Sequence, residues 1–186
     1  ISNSCVVAAA IRQVFFTKNP VTPGTTEFNS LVAANILCNL PANLPSGVVA
    51  AAAVLADSTT SAWDNIQSVG SGIPKDDVVQ IVFGTSPVSG PARNPAQVGD
   101  FTNSNTFLEA LGTNRYWTGI HQDFFTAWTQ DNFRNNCINW SNSSASNLGF
   151  ISGGGIKSSF WSQGFLKARS YCNEAKYLLC IQVNPK

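Results

Sequence analysis

Tyr177-Leu178-Leu179-Cys180-Ile181-Gln182-Val183 is the stretch on which the fold turns. Successive side chains of a strand point to opposite faces, so Tyr177, Leu179, Ile181 and Val183 are expected on one side and Leu178, Cys180 and Gln182 on the other. The segment reads as a strand stapled by a cysteine on one face. Working back from it, Cys172 precedes Cys180 with seven residues between, Cys137 sits in Asn135-Asn136-Cys137-Ile138-Asn139-Trp140, and Cys38 lies far upstream. Cysteines so placed suggest two disulfides that tie the last strand to the rest. Tyr116-Trp117-Thr118-Gly119-Ile120 reads as a further strand that opens this C-terminal part.

Outward from there, the N-terminal half carries its own punctuation. Residues 11–17 read as a strand that Pro20, Pro23 and Gly24 end. Thr25 or Thr26 is placed to cap a helix, with Glu27 favourable to its dipole. Phe28, Leu31, Val32, Asn35 and Cys38 then recur at helical spacing, and Pro41 and Pro45 terminate the run. In residues 46–56 four consecutive alanines favour helix while the valines favour strand. A short helix or turn over 59–65 is expected to bury Trp63. Residues 74–77 read as a turn and 78–83 as an apolar strand. Residues 84–105 hold three prolines and no sustained period, which suggests an ordered insertion, and 103–111 suits a helix capped by Asn103 or Ser104. Phe124, Phe125, Trp128 and Phe133 read as packing rather than a binding platform. Residues 141–159, rich in Ser, Asn and Gly around Gly153-Gly154-Gly155, read as an irregular loop and the most mobile part.

Taken in order, these landmarks resemble the C-type-lectin-like fold, in the variant found in secreted and surface-anchored bacterial proteins of mostly unknown function. The residues that carry the resemblance are Arg12-Gln13-Val14-Phe15-Phe16-Thr17, Ala33-Ala34-Asn35-Ile36-Leu37-Cys38, Ala56-Asp57-Ser58-Thr59-Thr60-Ser61-Ala62, Trp117-Thr118-Gly119, Asn136-Cys137-Ile138-Asn139-Trp140, Trp161, and Cys172 with Cys180. The resemblance implies a single α+β domain over residues 1–186, with mixed, mostly antiparallel sheets, one or two helices and long irregular loops. It places 46–56 on a strand and leaves 67–114 as an unassigned insertion. It also implies the pairs Cys38–Cys180 and Cys137–Cys172, with Cys5 unpaired. Sugar-binding members carry Glu-Pro-Asn or Gln-Pro-Asp followed by Trp-Asn-Asp as calcium ligands. None of these occurs here, and Trp63-Asp64-Asn65 has the wrong order. A calcium-independent module is therefore expected.

Composition narrows the function classes. The chain has 186 residues, 44% hydrophobic and 11% charged, enough for one well-cored domain and unlike a disordered chain. No run of about 18 apolar residues occurs, so membrane insertion is not expected. The sequence opens at Ile1 without Met or a basic segment, and an export signal is expected to have been removed or to lie outside it. Five cysteines suit an oxidising compartment; a zinc site would want close-set ligands, yet no two cysteines lie two to four residues apart and the single histidine, His121, is sixteen residues from the nearest. Near-neutral charge disfavours nucleic acid. The charge is uneven: residues 151–186 carry +4 and residues 1–150 carry −3.

Catalytic motifs are sparse. A Ser-His-Asp arrangement would have to use His121 with Asp123 or Asp131, without a Gly-x-Ser-x-Gly elbow. Asp76 and Asp77 are adjacent in a turn and point apart, unlike a glycosidase pair across a cleft. The triple glycine lacks the Lys and Ser or Thr of a phosphate-binding loop. What remains is recognition, without cofactor or metal. The fold presents ligands from loops, here 122–136 and 141–159, so Trp140, Asn142, Asn147 and Lys157 are candidate ligand-binding residues. Lys157, Lys167, Arg169 and Lys176 form a candidate patch for anionic glycans. The expectation is a secreted or bacterial cell-surface, non-catalytic module that binds a glycan or a host surface protein. An oligomerising structural module and a hydrolase using His121 are the alternatives.

Overall fold

The computed structural model describes residues 10–83, 86–87, 96–99, 115–120, 125, 136–151 and 169–184. Along the chain run β1 (Ile11–Phe16), α1 (Leu31–Cys38), β2 (Ala51–Ala53), α2 (Ala62–Val69), β3 (Val78–Phe83), β4 (Ser86–Pro87), β5 (Ala96–Gln97), β6 (Tyr116–Trp117), β7 (Leu148–Phe150), β8 (Arg169–Tyr171) and β9 (Tyr177–Gln182). The main sheet has the order β2-β9-β1-β3-β4, with β5 against β3 and β6 against β9, and β7 pairs with β8 apart from it. Two of these pairings, β1 with β3 and β6 with β9, are parallel and the others antiparallel. The chain is an α+β protein with two disulfides, Cys38–Cys180 and Cys137–Cys172.

β9 organises the sheet because both of its faces are buried. Leu179, Ile181 and Val183 enter one core with Val14, Ala52, Ile66 and Tyr116. Leu178 and Cys180 enter the other with Phe15, Phe28, Leu37, Trp117 and Trp140. The alternation in the sequence therefore maps onto two cores rather than a core and a solvent face. Cys180 stands opposite Phe15 on one side and Ala53 on the other, so its bond to Cys38 pins α1 onto the centre of the sheet.

Several local expectations need correction. α1 begins at Leu31, not near Glu27: Ser30 is the cap, its hydroxyl accepting from the Ala33 amide, whereas Thr25 Oγ1 accepts from Phe28 in the turn before. The helix stops at Cys38, three residues before Pro41, when Asn39 donates back to the last turn. Val32 does not share the buried face of Leu31 and Cys38. The 46–56 strand shrinks to three alanines. The second helix starts later than residue 59, after Ser61, which accepts from the Asp64 amide, and Trp63 on it is only half-buried. Within 67–114, the strand read over 78–83 forms as β3 and joins the main sheet beside β1. The 141–159 loop contains a strand, β7. The helix expected over 103–111, Phe124, Trp128, Phe133 and Trp161 lie outside the described residues.

A buried ion pair fastens one end of the sheet. Arg12 Nε donates to Asp77 Oδ2 at 2.6 Å, and Arg12 Nη1 donates to the Val183 carbonyl at 2.6 Å. Asp77 Oδ1 accepts from the Ala10 amide. Both side chains are buried, and the pair links β1, β3 and the exit of β9. Asp77 is thereby committed to structure, while Asp76 beside it is exposed.

Candidate functional site

The polar loop that the sequence singles out is built around a left-handed turn. Cys137, Ile138, Asn139 and Trp140 have φ of 51°, 52°, 52° and 70° in succession, closed by Trp140 N donating to the Asn136 carbonyl at 2.7 Å. Non-glycine residues adopt this conformation at a cost of about 1–2 kcal/mol each. The Cys137–Cys172 bond and the burial of Trp140 hold it. Trp140 stacks on Phe28 with ring centroids 5.5 Å apart, meets Trp117 edge-on at 5.8 Å, and donates from Nε1 to the Ala56 carbonyl at 3.0 Å.

These contacts change what the predicted site residues do. Trp140 has no exposed surface and is a core residue, so no sugar can stack on it. Asn142 and Asn147 are half-buried and turned to each other: Asn147 Nδ2 donates to Asn142 Oδ1 at 2.8 Å, and the same oxygen accepts from the Ser144 amide. Arg169 is exposed on β8 with its guanidinium 5.3 Å from the Phe150 ring centroid. Lys176 pairs with Glu174 at 2.6 Å. That partner, which also accepts from Ser170, has its carboxyl held below the usual range, first by the Lys176 hydrogen bond and then by Ser170. Asn147, next to β7 residue Leu148, and Arg169, opposite Phe150, stand at opposite ends of the β7–β8 pair. Lys157, Lys167, Cys5, and His121 with Asp123 and Asp131 lie outside the described residues. Among the described residues no group of three or more His, Cys, Asp or Glu is placed to hold a metal.

The surface feature that the sequence reading missed lies on α1. Leu31, Ala34, Leu37 and Cys38 face the core, while Val32 and Ile36 are 69% and 60% exposed on the opposite side. Leu40, just past the helix, and Val69, at the end of α2, extend the patch. Two hollows flank it and share Ile36 and Leu40 as the ridge between them. One, of about 470 Å³, is bounded also by Val32, Ser68 and Val69. The other, of about 530 Å³, lies between α1 and the chain leaving β1, with Lys18 and Glu27 among its walls. From residue 28 to residue 56 the chain has no charged side chain and no histidine.

Asn35, Asn39 and Asn43 of this segment are spent internally. Asn39 accepts from the Ala51 amide and donates to the Ala51 carbonyl. Asn35 accepts from the Ala53 amide, Asn65 donates to the Ala53 carbonyl, and the two asparagines bond to each other. These amides close the edge of β2 that faces away from β9. Asn43 joins the Lys18 amide to the Leu37 carbonyl and fixes the wall of the larger hollow. What α1 itself leaves exposed is aliphatic at Val32 and Ile36, with Lys18 and Glu27 at the far wall of the larger hollow. The spacing Val32, Ile36, Leu40 is the sequence signal that was available: a second apolar stripe on a helix whose first stripe already faces the core.

No protein-family model matches the chain, and no curated protein matches it. Two disulfides are the chemistry of an oxidising environment. No helix among the described residues is long and apolar enough to cross a membrane.

Proposed function

We propose that this chain is an exported, non-catalytic recognition domain of C-type-lectin-like fold, secreted or held at a bacterial cell surface, that works by calcium-independent contact with protein. The observation that carries this reading is the exposed aliphatic group Val32, Ile36 and Leu40, in a segment without charged side chains and joined by Val69 of α2, with Ile36 and Leu40 between two hollows. A sugar is held by hydrogen-bonding groups and aromatic faces. Here the neighbouring asparagine amides are consumed by β2, and Trp140 is interior. An aliphatic patch gains by being removed from water, which suits the apolar side chains of another protein. The disulfide pairing, which is the one implied by the resemblance, supports the fold assignment.

The test is a surface carrying separate spots of defined glycans and of purified proteins, this domain among them, probed with labelled domain in EDTA. Retention on protein spots that falls at least tenfold with Ile36→Lys is expected. Retention on glycan spots that Ile36→Lys leaves unchanged would contradict the reading and return recognition to the polar loops.

A further inference from the structure

Resting on the protein-contact reading, we infer that the partner seated on the α1 face is a second copy of this chain, joined about a two-fold axis. Charge and relief on this face both point to self-pairing. Lys18 and Glu27 line the same hollow, both are exposed, and neither has an ion-pair partner among the described residues. In a two-fold contact each residue on one copy meets its counterpart surface on the other, so a patch that holds one cation and one anion complements itself. Lys18 of one copy then reaches Glu27 of the other, and the reverse contact forms with it.

The relief has the same property. Ile36 and Leu40 make a ridge with a hollow on either side, and a ridge beside a hollow is the shape that interlocks with its own rotated image. The hollow is also preformed, because Asn43 locks the Lys18 backbone to the end of α1 and Thr17 Oγ1 accepts from the Leu178 amide at 3.1 Å. Little ordering is needed on contact. Finally, the whole chain has a formal net charge of +1, so two copies approach without the long-range repulsion that keeps strongly charged domains apart. The sealed edge of β2 directs association to side chains rather than to strand addition.

Sedimentation velocity over a wide concentration range tests this, with Cys5→Ser in every protein so that an intermolecular disulfide does not mimic the contact. The expected result is a reversible dimer that Ile36→Lys weakens at least tenfold with an unchanged near-UV circular dichroism spectrum. Lys18→Glu alone is expected to weaken it, and the double swap Lys18→Glu with Glu27→Lys to restore it. A monomer at all concentrations, a dimer indifferent to Ile36→Lys, or a failure of the double swap to rescue would overturn the inference. If the wild type stays monomeric while Ile36→Lys abolishes retention on other protein spots, the second copy is the wrong partner and the protein-contact reading stands.

Discussion

Asn39 holds Ala51 by both of its backbone groups: its Oδ1 accepts from the Ala51 amide at 2.9 Å and its Nδ2 donates to the Ala51 carbonyl at 2.6 Å. One side-chain amide thus does the work of a neighbouring strand, at an edge that would otherwise offer free donors and acceptors to another chain. Asn39→Leu leaves both groups of a fully buried residue without a partner. The expected loss is about 3 kcal/mol, from about 1–3 kcal/mol for each orphaned group. Urea unfolding measures it, and Asn39→Asp, which keeps only the acceptor, is expected to fall between.

The two disulfides are expected to contribute unequally. Cys38–Cys180 spans 142 residues and Cys137–Cys172 spans 35. Loop-closure entropy assigns about 5 and about 4 kcal/mol to them. Replacing Cys38 and Cys180 together by Ala should therefore lower the urea midpoint further than replacing Cys137 and Cys172. Non-reducing peptide mapping of the wild type that joined Cys137 to Cys38 would contradict the pairing itself.

Gly119 and Gly72 separate two reasons for glycine. Both have positive φ, +60° and +76°, but a Cβ on Gly119 would lie 2.0 Å from the Ala56 carbonyl oxygen, whereas one on Gly72 meets nothing within 4 Å. Gly72→Ala is expected to cost about 1 kcal/mol, the conformational term alone. Gly119→Ala adds overlap with rigid backbone and should cost about 3 kcal/mol or more. Thermal denaturation of the two variants distinguishes them.

The Glu174 carboxyl gives a pH dependence with a definite sign. Its acidity is raised by the Lys176 and Ser170 hydrogen bonds, so its folded value lies below the usual 4.5. The stabilisation is complete above that usual value and disappears as the pH falls through the lowered folded one. Glu174→Gln should flatten this part of the acid limb in a pH series of urea midpoints, and leave the difference from wild type largest near neutral pH. The effect is small, because the Glu174 side chain is 45% exposed.

How far the sequence could be read depended on how local each signal was. The alternation of Tyr177 to Val183 is carried by adjacent residues and needs no partner to be seen, so β9 and its two faces were legible. The start of α1 was not, because Thr25, Thr26 and Ser30 are all competent caps by residue type, and Thr25 caps a turn at Phe28 while Ser30 caps the helix. Trp140 sits among asparagines and serines as an exposed ligand-binding residue would. Its burial comes from Phe28, Trp117 and Ala56, residues distant in sequence. The strand over 46–56 was shorter than expected because alanine fits either backbone, and the asparagine side chains that make Ala51 and Ala53 a strand edge come from α1, the residue that caps its end, and α2. The α1 face was legible in principle. Val32 was grouped with the buried stripe of Phe28, Leu31 and Cys38, and Ile36 and Leu40 were not read as a second stripe, although only one side of a surface helix can face the core.

Methyl resonances of Val32, Ile36, Leu40 and Val69 test most directly whether this face is where the domain makes contact. Followed by NMR from dilute to near-millimolar concentration, they are expected to shift together and saturably, while the methyls of Leu178 and Ile181 in the two cores stay fixed. Shifts confined instead to the Asn142 and Asn147 amides, with the α1 methyls unmoved, would contradict the assignment.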